Sequence, residues 1–87
     1  MTDHNTTGLS LYQYDFCPFC VITKRVIKNL DIDIEMRNTQ KNPEYRQELI
    51  AEGGMGQVPC LRIEENDSVE WMYESADIIK YLKDRFG

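Results

Sequence analysis

Two cysteines three positions apart, Cys17-Pro18-Phe19-Cys20, stand between a short apolar run and a helix-forming segment, and this junction constrains the fold more than any other feature. Leu9 to Tyr14 is short, aromatic and apolar on both faces, as a central strand covered on two sides would be. Downstream, Ile22, Val26, Ile27 and Leu30 fall on one face of a helix, with Lys24, Arg25 and Lys28 on the other. The spacing therefore places Cys17 at the helix N-cap and Cys20 one turn on, at the same helix end. Pro18, at the first helical position, gives up an N–H that has no helical partner there and aims the Cys17 sulfur outward. Unsatisfied backbone N–H groups and the positive end of the helix dipole favour a thiolate at Cys17, the expected nucleophile. Cys20 is expected to be the more buried, less ionised thiol that resolves a mixed disulfide. A zinc pair is the competing use of such cysteines. No second Cys-x-x-Cys or histidine cluster completes four ligands, and the lone His4 lies near the start of the chain, so no metal is expected.

The rest of the chain extends the same unit. Its 87 residues suit one domain, with residues 1–8 as a loose tail and 9–87 as the folded body. Ile32, Ile34 and Met36 alternate with Asp33, Glu35 and Arg37, the pattern of an outer strand wet on one face. Asn42-Pro43 opens a second helix that faces Tyr45, Leu49 and Ile50 inward and stops at Gly53-Gly54. Val58 to Ile63 and Val69 to Tyr73 form a hairpin around Glu65-Asn66-Asp67-Ser68. Ser75 then caps a last helix carrying Ile78, Ile79, Leu82 and Phe86. The order βαβαββα gives an α/β, thioredoxin-like architecture: a four-stranded mixed sheet with three helices on its two faces.

Composition narrows the function. A net charge of −5, from 15 acidic and 10 basic residues, argues against nucleic acid or an anionic membrane as the main partner. Three cysteines, an odd number without an export signal, read as redox thiols in a reducing compartment, so the expected location is cytoplasmic. No segment has the length of a membrane span.

The CPFC stretch, Val58-Pro59 at the third strand and the Glu74-Ser75 helix start together resemble the glutaredoxins, over nearly the whole chain from Leu9 to Phe86. The resemblance implies a dithiol oxidoreductase that takes glutathione as reductant and acts as a monomer on disulfide-containing or glutathionylated proteins. It also implies a cis Val58-Pro59 bond and a Val58 backbone that pairs with the cysteine of glutathione. Tyr73 to Asp77 resembles the Glu-Ser segment of glutathione-transferase N-terminal domains, where Ser75 would take the γ-glutamyl carboxylate and Glu74 or Asp77 the ammonium. In common small glutaredoxins a lysine stands at the position of Tyr14, a threonine at Gln57 and Gly-Gly at Tyr73-Glu74. Gln57, Arg37, Arg46 and Lys24 are the candidates for the glycine carboxylate. Tyr14, Phe16 and Phe19 read as apolar walls, and Cys60 as a small buried hydrophobe rather than a third redox thiol. Two rival functions are a glutathione-ligated [2Fe-2S] carrier, against which Pro18 argues by analogy, and a glutathione-binding module without turnover.

Overall fold

The structure, a computed structural model, describes residues 6–87. Eight alternating apolar and amphipathic stretches become β1 (Leu9–Gln13), α1 (Pro18–Asn29), β2 (Glu35–Asn38), α2 (Pro43–Glu48) with a π-helical turn at Leu49–Gly53, β3 (Cys60–Glu65), β4 (Ser68–Met72) and α3 (Ser75–Phe86). The sheet order is β2-β1-β3-β4. Parallel pairing sets Ser10 opposite Glu35, while antiparallel pairing sets Leu11 opposite Leu61 and Arg62 opposite Trp71. All five residues of β1 are buried, because this central strand is covered on both faces. His4 and the first five residues of the expected tail lie outside the described residues. Thr6 and Gly8 are bonded to the body: the Thr6 carbonyl accepts from Leu9 N–H, and the Gly8 carbonyl from Glu64 N–H.

The period of two along each strand divides the core. Leu9, Leu11, Leu61 and Ile63 pack on Ile27 of α1 and on Ile78, Leu82 and Phe86 of α3. Removing a buried side chain such as Leu82 from water contributes roughly 1.5–3 kcal/mol. On the opposite face Tyr12 and Cys60 meet Leu49, with Tyr45, Trp71 and Tyr73 against them. The buried Tyr12 hydroxyl donates to the Glu48 carboxylate and accepts from the Arg37 guanidinium. Burial, and then the Glu48 carboxylate, push the Tyr12 hydroxyl pKa well up. Asn66 and Asp67 both take positive φ (51° and 65°), the backbone that a two-residue hairpin turn needs.

Several sequence expectations shift. The buried residues of α1 are Cys20, Thr23 and Ile27, and Ile22 is 47% exposed, because the inward row starts from Cys20 rather than Ile22. Ile50 is 40% exposed because the π-helical turn beginning at Leu49 advances the register and turns Ile50 outward. The expected alternation holds from Ile32 to Glu35, with Ile34 buried, but β2 begins only at Glu35, and at its next two residues the pattern reverses: Met36 is exposed and Arg37 is half-buried against Tyr12. Ser75 is the first helical residue, not the cap. Glu74 occupies the N-cap without a side-chain bond, since its carbonyl accepts the helical bond from Ile78 N–H. Among the described residues, no helix is long and apolar enough to cross a membrane.

Candidate active site

β1 delivers the chain into a loop, Tyr14-Asp15-Phe16, that ends at Cys17. Asp15 holds this loop through ion pairs with Lys24 (3.7 Å) and Lys41 (3.3 Å). Cys17 is the N-cap of α1 with extended backbone (φ −83°, ψ 119°), followed by Pro18. Its carbonyl accepts the Val21 N–H at 2.9 Å, so the sulfur stands over the open first turn.

The outward aim expected of Cys17 is only partly realised. Its exposure is 6% and that of Cys20 is 0%, because the Val58 loop closes over the sulfur. The Cys17 thiol donates to the Val58 carbonyl at 3.9 Å.

The two thiols are driven apart electrostatically. Burial raises the Cys17 thiol pKa, but the backbone N–H and thiol of Cys20, the Phe19 N–H and the Tyr14 hydroxyl all donate to the sulfur, leaving it below its ordinary value. Cys20 is pushed up to about 12, first by burial and then by its hydrogen bond to Cys17 and the nearby Cys17 charge, against a backbone bond from Tyr14. Tyr14 is therefore more than an apolar wall. The nearby Cys17 charge raises the Tyr14 hydroxyl pKa, and Tyr14 in turn favours the Cys17 thiolate. Apolar character at the site belongs to Phe16 and Phe19, both exposed.

Two cavities share Val58, whose carbonyl accepts from the Cys17 thiol. A cleft of about 100 Å³ is lined by Phe19, Gln57, Val58, Pro59, Tyr73, Glu74 and Ser75, and the Val58-Pro59 bond within it is cis. A second cavity, of about 210 Å³, is lined by Tyr14, Thr39, Gln40, Arg46, Gly56 and Val58. The sequence-derived residues Gln57, Val58, Pro59, Glu74 and Ser75 are thus brought together next to Cys17. Asp77 is not: it lines another cavity with Met72, Lys80, Tyr81 and Asp84, because residues two apart on a helix project about 200° apart. Of the four candidates for a carboxylate partner, Arg37 is bound to Tyr12, Glu35 and Glu48, and Lys24 to Gln13 and Asp15. Arg46 alone of the four lines the second cavity.

Sequence reasoning missed Thr39 and Gln40, which follow β2 in a loop with no periodic signal. It also placed Tyr73 at the end of a strand and the start of the Glu-Ser segment without giving its hydroxyl a role. The Tyr73 hydroxyl donates to the Met55 carbonyl at 3.0 Å and accepts from the Met55 N–H at 3.2 Å, which ties the loop before Val58 to the end of β4. Cys60 is fully buried beside Tyr12 and Leu49, is pushed up to about 12 chiefly by burial, and lines neither cavity. Among the described residues, no three His, Cys, Asp or Glu side chains are grouped to hold a metal ion.

Residues 9–67 match the protein family Glutaredoxin. The chain is similar to the glutaredoxin-like protein NrdH-redoxin from Escherichia coli, with 30% identity over 85% of this chain and 92% of that one and a TM-score of 0.63. A thioredoxin-like protein shares the fold at a TM-score of 0.69 and 21% identity, over 88% of this chain and 96% of that one, so the α/β arrangement described above is thioredoxin-like. Prostaglandin E synthase 2 of Mus musculus is 36% identical over 80 residues, 91% of this chain, and the chain spans only 20% of that relative's length.

Proposed function

The chain belongs to the glutaredoxin family, and from that premise we propose that it is a glutathione-dependent thiol–disulfide oxidoreductase working through Cys17 and Cys20. The observation that carries this reading is the placement of the pair, with Cys17 at the N-cap of α1 against the Val58 carbonyl, which lines the Val58 cleft, and Cys20 fully buried one turn on; the donors around Cys17 and the burial of Cys20 push the two thiols in opposite directions. In the first step the Cys17 thiolate attacks one sulfur of a substrate disulfide. A new S–S bond forms as the old one breaks, and the departing sulfur leaves as a thiolate with the bonding pair. With a protein disulfide, Cys20 then loses its proton and attacks the Cys17 sulfur, which releases the second substrate thiol and leaves a Cys17–Cys20 disulfide. One glutathione opens that disulfide by forming a mixed disulfide with Cys17. A second removes it as glutathione disulfide, and the dithiol is restored.

Glutathione fits the two joined cavities. Its cysteine pairs with the Val58 backbone as an added strand does. The γ-glutamyl carboxylate meets the Ser75 N–H and hydroxyl at the start of α3, and Glu74 takes the ammonium. Arg46, with Gln40 beside it, takes the glycine carboxylate where the resemblance would have had a lysine at Tyr14. The chemistry suits a reducing compartment such as the cytoplasm, and the substrates are disulfide-containing or glutathionylated proteins.

The test is reduction of a small glutathione mixed disulfide coupled to glutathione and glutathione reductase. Cys17→Ser abolishes it, whereas Cys20→Ser leaves it running; activity surviving in the first variant would sink the assignment. One observation favours a second electron donor: the similar Escherichia coli protein is described as having a thioredoxin-like activity profile. The same assay run with thioredoxin reductase in place of glutathione decides between the donors.

A further inference from the structure

α1 differs from the other helices in its charge. α3 sets Lys80 against Asp84 at 3.3 Å, and α2 mixes Glu44, Arg46 and Glu48, but α1 carries Lys24, Arg25 and Lys28 with no acidic residue. In a chain of net charge −5 this is a local concentration of positive charge. The three cations, with Val21 and Asn29, line a groove of about 460 Å³. Lys24 is partly engaged by Gln13 and Asp15, while Arg25 and Lys28 have no ion pair among the described residues. The Lys28 charge suits the negative end of the helix dipole, but Lys24 and Arg25 lie before the last turn, where that explanation fades.

The groove follows the helix row that begins at Cys17. Cys17, Val21, Lys24 or Arg25, and Lys28 follow one row of the helix at spacings of three and four. At 1.5 Å per residue the cations lie about 10 to 16 Å along the axis from Cys17. Phe19, in the Val58 cleft, and Val21, in the groove, are about 200° apart around the helix, so the two sites lie on opposite sides of α1.

Resting on the oxidoreductase reading above, we propose that this groove docks an acidic segment of the protein substrate while the Val58 cleft holds glutathione. An extended chain advances about 3.3 Å per residue, so the favoured substrate has Asp or Glu three to five residues from its reacting cysteine. In the step concerned, Cys17 thiolate attacks the glutathione sulfur of a glutathionylated protein. The Cys17–glutathione disulfide forms, and the protein leaves along α1 as a thiolate. A short acidic segment suits the groove better than nucleic acid, whose phosphates would extend beyond three cations onto a net-negative surface.

The test uses glutathionylated peptides with one cysteine and either Glu or Gln at the third to fifth positions. Each rate is normalised to that peptide's uncatalysed reduction by glutathione. The Glu peptide is expected to show a kcat/KM roughly tenfold higher at low salt, with the advantage lost at high salt. Arg25→Glu/Lys28→Glu removes or reverses the preference and leaves reduction of a small glutathione mixed disulfide unchanged. Equal values for the two peptides, or a preference that survives in the double variant, overturns the docking proposal. So does tighter competition by a single-stranded oligonucleotide than by the Glu peptide. Loss of small-substrate activity in the unaltered protein would instead overturn the oxidoreductase reading.

Discussion

Treating the fully reduced protein with iodoacetamide at pH 7.5 should label one cysteine of three, and the structure fixes by how much. An ordinary thiol with a pKa near 8.5 is about one-tenth thiolate at that pH. Cys20, held protonated up to about 12, is ionised to roughly three parts in a hundred thousand, a deficit near three thousandfold. Cys60, also near 12 and fully buried, falls in the same class. Cys17, lowered by the donors around its sulfur, reacts faster than the ordinary thiol. Mass spectrometry of a time course should therefore show a single adduct that maps to Cys17. Raising the pH separates ionisation from simple inaccessibility, because labelling of Cys20 should rise about tenfold per unit until near its own pKa. Adducts at Cys20 and Cys17 forming at similar rates at pH 7.5 would refute the asymmetry on which the mechanism rests. A Cys20 that stays inert to pH 11 would show that burial alone governs it.

Cys60 gives a stability test. Its folded pKa is raised, so its contribution is fully present below the unfolded value near 9 and lost as pH rises toward 12, about 2 kcal/mol of it by pH 10.5. Cys60→Ala should cost about 1 kcal/mol at pH 7.5, where a small cavity dominates, and be the more stable form at pH 10.5 in urea denaturation with reductant present. Parallel pH curves would count against this. Tyr14→Phe removes a donor from the Cys17 sulfur, so the inflection of its alkylation rate should move to higher pH and the rate loss be largest below neutrality. An unmoved inflection returns Tyr14 to the role of a wall. Arg46→Ala should raise the KM for glutathione roughly tenfold with kcat little changed, and Arg46→Lys should recover part of it; equal loss in KM and kcat would argue for a structural role.

The legible parts of this site were the local ones. Cys17-Pro18 marks a helix start by adjacent residues, and the structure puts the cap and the first helical position there. The hairpin was readable from Asn66-Asp67, whose tolerance of positive φ is intrinsic. Errors arose where one residue of register decides. The π-helical turn turned Ile50 outward, and the helix start at Ser75 moved the cap to Glu74. Periodicity cannot register either shift, because both depend on where neighbouring elements pin the helix. Asp77 came with Glu74 as alternatives from the resemblance of Tyr73 to Asp77 to the Glu-Ser segment, and in the fold Glu74 lines the Val58 cleft while Asp77 lines another cavity.

Tyr14 shows the deeper limit. From sequence it was a missing lysine, a deficit to be filled by another cation. In the fold, the turn between β1 and α1 brings its hydroxyl to Cys17, so thiolate stabilisation passes from a charge to a directed donor. The two devices differ in kind. An exposed ammonium acts through a field that salt screens within about 10 Å, whereas a hydroxyl donor acts at close range and is screened less. In the neighbouring cavity the cation is Arg46, on α2, the residue proposed above to meet the glycine carboxylate. On the proposed reading, two tasks that one lysine could combine are divided between a tyrosine on the loop and an arginine on a helix. Activation of Cys17 and affinity for glutathione should therefore respond separately to Tyr14→Phe and Arg46→Ala.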